Sequence, residues 1–235
     1  MIKVGVIGAG HLGKIHLNIL SNSVFELIGF HDTDITYSEK LSKEKGYLFF
    51  ADLNSLIEKI DAAVIVSPTT THFEIAKKCI NKGVHIFIEK PLTTNSKEAE
   101  IIDSLSKKKG IIGQVGFVER YNQAFISCKK FIKKPKFIES HRLSDFNPRG
   151  TDVSVIMDLM IHDIDIILNV NKSKIKKIDA SGVSIISSTP DIANARIEFD
   201  DGCIANLTSS RISLKKMRKT RIFQEDAYIS INFLE

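Results

Sequence analysis

Three groups of residues in this chain have the types and spacing that chemistry requires. The first is Gly8-Ala9-Gly10-His11-Leu12-Gly13, set between an apolar run, Met1 to Ile7, and an amphipathic run ending at Leu20. Gly8 permits a tight turn, Gly10 lets backbone approach a pyrophosphate, and Gly13 lets a helix pack close to the preceding strand. The N-terminus of that helix offers N–H groups and a positive dipole end to phosphate. Asp32 closes the next apolar run about 20 residues further on, where a ribose-binding acid belongs. A carboxylate there accepts from both ribose hydroxyls and repels a 2′-phosphate. No Arg follows it, so the expected ligand is NAD rather than NADP. Glycines that serve only a turn, and a mere loop acid at Asp32, are the plainer alternatives.

The second group lies at the ends of two further apolar runs. Val64-Ile65-Val66 opens into Ser67-Pro68-Thr69-Thr70-Thr71-His72, and Val84 to Ile88 closes with Glu89-Lys90-Pro91. In a doubly wound sheet such ends lie at the carboxyl edge, where ligands bind. A lysine there can polarise a hydroxyl and stabilise the alkoxide formed during oxidation. Its plainer alternative is a strand-end lysine that snorkels and pairs with Glu89. The third group is Asp158-Leu159-Met160-Ile161-His162-Asp163-Ile164-Asp165. Asp158 and His162 are four apart, so on an α-helix they share a face. A histidine beside a carboxylate can serve as a general base, or can simply be a hydrogen-bonded core residue.

These groups need elements to hold them. Strands are expected at Ile2–Ile7, Phe25–His31, Tyr47–Phe50, Ala62–Val66, Val84–Ile88 and Ile111–Val115, with helices between them. Near-continuous apolar runs suit strands buried on both faces of a parallel sheet. Thr71 with Glu74, and Asn95 with Glu98, have capping-box spacing. Alternation of this length predicts a doubly wound α/β domain over residues 1–119. Residues 120–235 differ. A helix is expected from Asn122 to Lys133, a strand at Phe137–Leu143, a loop with Asn147-Pro148-Arg149-Gly150, and a helix from Val153 to Asn169. Strands follow at Ile175–Ser184, Ile192–Phe199, Cys203–Ser209 and Arg218–Gln224, with a hairpin turn at Asp200-Asp201-Gly202. This predicts an α+β domain with a large, mostly antiparallel open sheet. Ala227 to Glu235 reads as one more strand, either an ordinary C-terminal strand or the point at which an expected larger sheet is left incomplete.

Composition bounds the rest. The chain has 235 residues, 43% of them hydrophobic and 26% charged, enough for one or two globular domains. No apolar run approaches the ~18–20 residues that span a membrane. The first strand begins at the N-terminus, so no secretory signal is expected. Cys79, Cys128 and Cys203 are scattered and odd in number, which argues against zinc and a disulfide framework and for a reducing cytoplasm. The net charge of +5 comes from lysine clusters without interleaved aromatics. Solvated faces, or attraction of an anionic substrate, account for it better than nucleic acid does.

Taken together, the glycine loop, Ser67-Pro68-Thr69 with His72, Glu89-Lys90-Pro91 and the Asp158/His162 helix occur in the order found in the Gfo/Idh/MocA oxidoreductases, which the chain resembles over essentially its whole length. The resemblance implies an NAD(P)-binding Rossmann domain followed by a domain whose open sheet floors the substrate site and joins subunits into a dimer or tetramer. It implies that Lys90 is the catalytic lysine, preceding a cis bond to Pro91, and that Asp158 and His162 are the acid and histidine of the site. Gly116-Phe117-Val118-Glu119-Arg120-Tyr121-Asn122 and Asp152-Val153-Ser154-Val155 look most like members that oxidise nucleotide-sugars, the UDP-N-acetylglucosamine 3-dehydrogenases being nearest. Members are generally longer, and Phe117 stands where that branch often carries a histidine.

The expected cofactor side is Gly8, Ala9, Gly10, His11, Leu12, Gly13, Asp32, Ser67, Pro68, Thr69, His72, Glu89 and Lys90. The expected substrate side is Lys90, Arg120, Tyr121, Asn122, Arg149, Asp158, His162 and Arg211, the arginines because guanidinium offers paired donors to a diphosphate. No metal is expected. The expected activity is oxidation of a sugar ring hydroxyl, with His162 as base and Lys90 stabilising the alkoxide. An inositol or keto-sugar substrate, or a non-catalytic NAD-binding protein, are the alternatives.

Overall fold

A computed structural model describes residues 1–147 and 153–234. Arg149, Pro148, Gly150 and Asp152 therefore lie outside the described residues. The chain divides into two compact units, Met1–Gly116 and Phe117–Glu235. The boundary expected after Glu119 falls inside a short 3₁₀ turn, Val118–Tyr121, and the division precedes that turn.

In the first unit the order is β1 (Lys3–Ile7), α1 (His11–Ser21), β2 (Glu26–His31), α2 (Ile35–Lys45), α3 (Leu53–Ile57), β3 (Ala62–Ile65), α4 (Thr69–Asn81), β4 (His85–Ile88), α5 (Ser96–Lys109) and β5 (Gly113–Val115). The strands form one parallel sheet in the order β2-β1-β3-β4-β5. Alternation along β1 shows why it is covered on both faces. Val4 and Val6 join Leu17, Leu20, Phe30 and Leu41 in one apolar cluster, whereas Ile7 joins Leu56, Ile65, Ala76, Ile80 and Ile102 in another. The winding reverses between β1 and β3, and a ligand crevice opens outside the carboxyl ends of strands at such a point.

Two local expectations are corrected here. Tyr47–Phe50 is not a strand: only Phe49 bridges to Phe30 before the chain turns into α3. Thr71 is not a helix cap, because α4 has already begun at Thr69. The Thr71 N–H and hydroxyl instead donate to the Pro68 carbonyl. Asn95 does cap α5, accepting the Glu98 N–H at 3.0 Å.

The second unit opens with the 3₁₀ turn and continues through α6 (Gln123–Lys129), β6 (Phe137–Leu143), a π-helical turn (Ile156–Met160), α7 (Ile161–Val170), β7 (Ile175–Val183), β8 (Ile192–Phe199), β9 (Ile204–Ser210), β10 (Met217–Gln224) and β11 (Ala227–Asn232). The sheet order is β11-β10-β6-β9-β8-β7, antiparallel except for the parallel pair β6 and β9. One face is apolar by period-two alternation: Ile138 of β6, Ala193, Ala195 and Ile197 of β8, Ala205 and Leu207 of β9, and Ile222 of β10. Phe125, Met160, Ile166 and Ile167 from the helical segments pack on it. The helix expected at Asn122–Lys133 is shorter, ending at Lys129. The helix expected from Val153 begins as a π turn. Asp158 lies in that wider turn and His162 in the first turn of α7. Their relation is therefore set at a π-to-α junction rather than by plain α periodicity, a distortion common at functional sites.

Candidate active site

The first unit brings the glycine turn, the Ser67 loop and the Lys90 loop together around its crevice. Gly8 has φ +98°, and a Cβ on it would fall 2.6 Å from the Ser67 nitrogen. A Cβ on Gly13 would lie 2.0 Å from the Gly8 carbonyl oxygen, so α1 starts directly on the turn. Gly10, by contrast, has open space around it. No side chain caps α1 at Gly10, and the first helical bond runs from Lys14 N–H to the Gly10 carbonyl. The N–H groups of His11, Leu12 and Gly13 thus precede the helical ladder and face the N-terminal end. An open glycine before an uncapped helix N-terminus fits a pyrophosphate.

Asp32 closes the adjacent strand. One of its carboxylate oxygens accepts the Ala9 N–H at 2.6 Å and the other the Asp34 N–H at 3.0 Å. The Tyr37 hydroxyl, which sequence reasoning missed, donates to the Ala9 carbonyl at 3.0 Å. Across the crevice the Ser67 and Thr71 hydroxyls are 2.7 Å apart. His72 is only 1% exposed. Its ring bridges two carbonyls, Pro91 at 3.0 Å through Nδ1 and Ser67 at 2.8 Å through Nε2. Expected on the cofactor side, His72 is instead a strut that joins the Ser67 loop to the Lys90-Pro91 loop. Glu89 also reaches across to α1. Its carboxylate is 2.9 Å from Nε2 of His16.

In the second unit Asp158 and His162 are both partly buried. Three expected substrate residues have other work. Arg120 makes a two-pronged bond to Asp165 of α7 while its guanidinium lies over the Phe117 ring, 5.4 Å from the centroid. Asn122 caps α6 through the Ala124 N–H and reaches the Phe233 carbonyl. Arg211 is 3% exposed and donates to Asp191, to the Val153 carbonyl, and to the Ser187 and Thr189 hydroxyls. A guanidinium whose donors are so engaged is a scaffold, not a diphosphate reader. It pins the segment that leads into the Asp158 turn. Tyr121 is 64% exposed.

The unit's principal buried charge went unpredicted. Arg142, 2% exposed on the apolar face of β6, forks onto Asp163 of α7 and donates to Glu119 at 2.8 Å. Burial opposes its charge, but the two carboxylates outweigh that and raise its pKa. Burial pushes the Asp163 carboxyl up against the pull of Arg142. Period-two alternation with Ile138 and Ser140 was the available signal, since it aims Arg142 inward. Asp163 therefore anchors the helix that carries His162. Among the described residues no group of three His, Cys, Asp or Glu is placed to hold a metal ion.

The comparisons with known proteins match this division. A family model described as an oxidoreductase family with an NAD-binding Rossmann fold covers residues 2–117, and the Gfo/Idh/MocA C-terminal domain covers residues 133–230. The chain belongs to the Gfo/Idh/MocA oxidoreductase family. It is 33% identical over 234 residues to the UDP-N-acetylglucosamine 3-dehydrogenase of Acidithiobacillus ferrooxidans, which covers 99% of this chain and 74% of that protein. The solved structure of that enzyme, GnnA, superposes with a TM-score of 0.94, covering 99% of this chain and 77% of that one. The scyllo-inositol 2-dehydrogenase (NAD(+)) of Bacillus subtilis is 30% identical, covering 90% of this chain and 68% of that protein. As a Gfo/Idh/MocA member the chain is an NAD-dependent oxidoreductase acting on CH–OH groups, and Gly8 to Gly13 with Asp32 would hold the cofactor. The Lys90–Pro91 bond is cis, as the family resemblance implied. No helix among the described residues is long and apolar enough to cross a membrane.

Proposed function

We propose that the protein oxidises a ring hydroxyl of a sugar, the 3-hydroxyl of a UDP-N-acetylhexosamine being the first choice. The observation that carries the reading is the placement of Lys90, held at the carboxyl end of β4 by a carbonyl strut that also grips the loop after β3. NAD, which Gly8 to Gly13 and Asp32 would hold, would supply the hydride acceptor for the carbinol carbon. In this reading the Lys90 ammonium stabilises the alkoxide that develops on the hydroxyl oxygen. His162 takes the hydroxyl proton, and Asp158 orients the base or the hydroxyl. The alcohol would become a ketone, its proton passing to the His162 imidazole and its hydride to the acceptor that NAD would supply. Asp32 selects NAD over NADP by repelling a 2′-phosphate.

The choice of sugar rests on the name of the Acidithiobacillus relative and its near-complete coverage of this chain. A polyol such as an inositol is the second reading. It is favoured by Arg211, whose guanidinium is buried and engaged by Asp191, the Val153 carbonyl and the Ser187 and Thr189 hydroxyls. The wider setting follows the same reading. The three free cysteines suit a reducing cytoplasm. The outer face of the second unit's sheet, where the paired Phe223 and Tyr228 are exposed, would join subunits into a dimer or tetramer.

The test is the near-ultraviolet absorbance of reduced nicotinamide when protein and NAD meet UDP-N-acetylglucosamine or scyllo-inositol with a carbonyl trap present. A Lys90→Ala control should lose turnover by about 100-fold or more while NAD affinity stays near wild type. A signal with the inositol alone would transfer the assignment to a polyol. Binding of NAD with turnover of neither would favour a non-catalytic NAD-binding protein.

A further inference from the structure

Within the first unit, one contact joins the helix that would carry the cofactor phosphates to the loop that carries Lys90. His16 stands on α1, in the turn after Gly13, and its Nε2 lies 2.9 Å from Oε1 of Glu89, the residue before Lys90. The two are 73 positions apart in sequence. Both side chains are largely covered, at 20% and 12% exposed. The pair is packed as well as bonded. The His16 ring meets Phe87 of β4 at 5.5 Å. Gly116 lies so close that a Cβ on it would fall 2.9 Å from the second Glu89 oxygen.

Three contacts are among those that tether the Glu89-Lys90-Pro91 tripeptide. The Glu89 N–H donates to the Ile65 carbonyl of β3 at 2.9 Å, the Glu89 carboxylate meets His16 of α1, and the Pro91 carbonyl meets His72 of α4. The first and third fix the loop to its neighbouring strand and helix. The second fixes it to the glycine-turn helix. Any adjustment of α1 around a dinucleotide is thereby passed to the residue beside Lys90.

We propose that His16 and Glu89 are a positioning pair, setting the Lys90 ammonium relative to the dinucleotide through their side-chain bond. The proposal rests on the dehydrogenase reading for its purpose, but its geometry is tested apart from turnover. Neither residue touches the reacting atoms in this account. They act through Lys90, since small displacements of a charge-stabilising group cost rate steeply.

The experiment compares wild type, His16→Leu, Glu89→Ala and Glu89→Gln. Lys90 is acetylated with an N-hydroxysuccinimide ester in NAD-saturated protein, and its labelling rate is read by peptide mass spectrometry with Lys14 and Lys97 as internal controls. The expected result is a change of about threefold or more at Lys90 in His16→Leu and Glu89→Ala, with calorimetric NAD affinity of His16→Leu within about threefold of wild type. Glu89→Gln, whose amide oxygen still accepts from the imidazole, should regain most of the wild-type rate. In the kinetic arm, kcat should fall about 10-fold in the first two variants with little change in KM for NAD. Unchanged Lys90 labelling overturns the proposal. So does a parallel loss of NAD affinity in His16→Leu, which marks a mere structural strut. If His16→Leu does not fold, the Glu89→Ala and Glu89→Gln pair decides by the same criteria. If wild type turns over no sugar but labelling separates the variants, the substrate reading fails and the positioning pair stands.

Discussion

The carboxylate of Asp32 accepts the backbone N–H of Ala9 at 2.6 Å, so the acid that closes β2 also braces the glycine turn that follows β1. The turn and the ribose-side acid are one unit, completed by the Tyr37 hydroxyl on the Ala9 carbonyl. Substitution of Asp32 therefore has two separable effects. Asp32→Asn keeps an oxygen for the Ala9 N–H but removes the charge. It should weaken NAD binding about tenfold while weakening NADP binding much less. Asp32→Ala should weaken both by loosening the turn. Titration of both cofactors by fluorescence checks this, and equal losses in the Asn variant would sink the charge argument.

Two glycines of the turn should fail differently. A Cβ at Gly13 collides with the Gly8 carbonyl, so Gly13→Ala should lower the melting temperature and abolish NAD binding. Around Gly10 the space is open, so Gly10→Ala should melt near wild type yet bind NAD about 10-fold more weakly, because the methyl occupies the phosphate approach. Thermal melts with and without NAD distinguish the two.

Arg142 is a stability residue of the second unit. Arg142→Leu leaves Asp163 buried without the cation that forks onto it, and Glu119 with only the more distant Arg218, and should cost about 3–5 kcal/mol in urea unfolding. Arg218 is 3.6 Å from the same Glu119 but 45% exposed, so Arg218→Ala should cost less than about 1 kcal/mol. Similar losses in both variants would refute the weight given to burial.

Acid stability should depend on Asp191. The Ser187 hydroxyl and the N–H groups of Ser187, Ile185 and Ile186 hold its carboxyl well below the usual carboxylate range. A depressed folded-state pKa means the unfolded chain binds the proton first. The contribution is therefore complete above the ordinary value of 3.8 and is lost as pH falls below it. Asp163, raised by burial, works in the opposite direction, so the difference between wild type and Asp191→Asn is the quantity to follow. That difference, from urea midpoints, should be largest near neutrality and shrink below about pH 4. A difference independent of pH would contradict the assignment.

Local pattern alone determined much of this protein. The glycine turn, the alternation of apolar strands with helices, the inward period of β6 and β8, the Asn95 cap and the turn at Asp200-Asp201-Gly202 all depend on neighbours a few positions away, so the sequence displays them directly. Tertiary structure decided what the charged and polar side chains do. Arg120 finds Asp165 45 positions away, Arg211 finds Asp191, His16 finds Glu89, and Arg142 enters a core that its charge would argue against. A guanidinium reads the same in sequence whether it faces a substrate phosphate or a buried carboxylate. Only the folded chain brings the partner that satisfies it, because the cost of leaving a buried charge unpaired is settled by contacts across the fold and not along the chain.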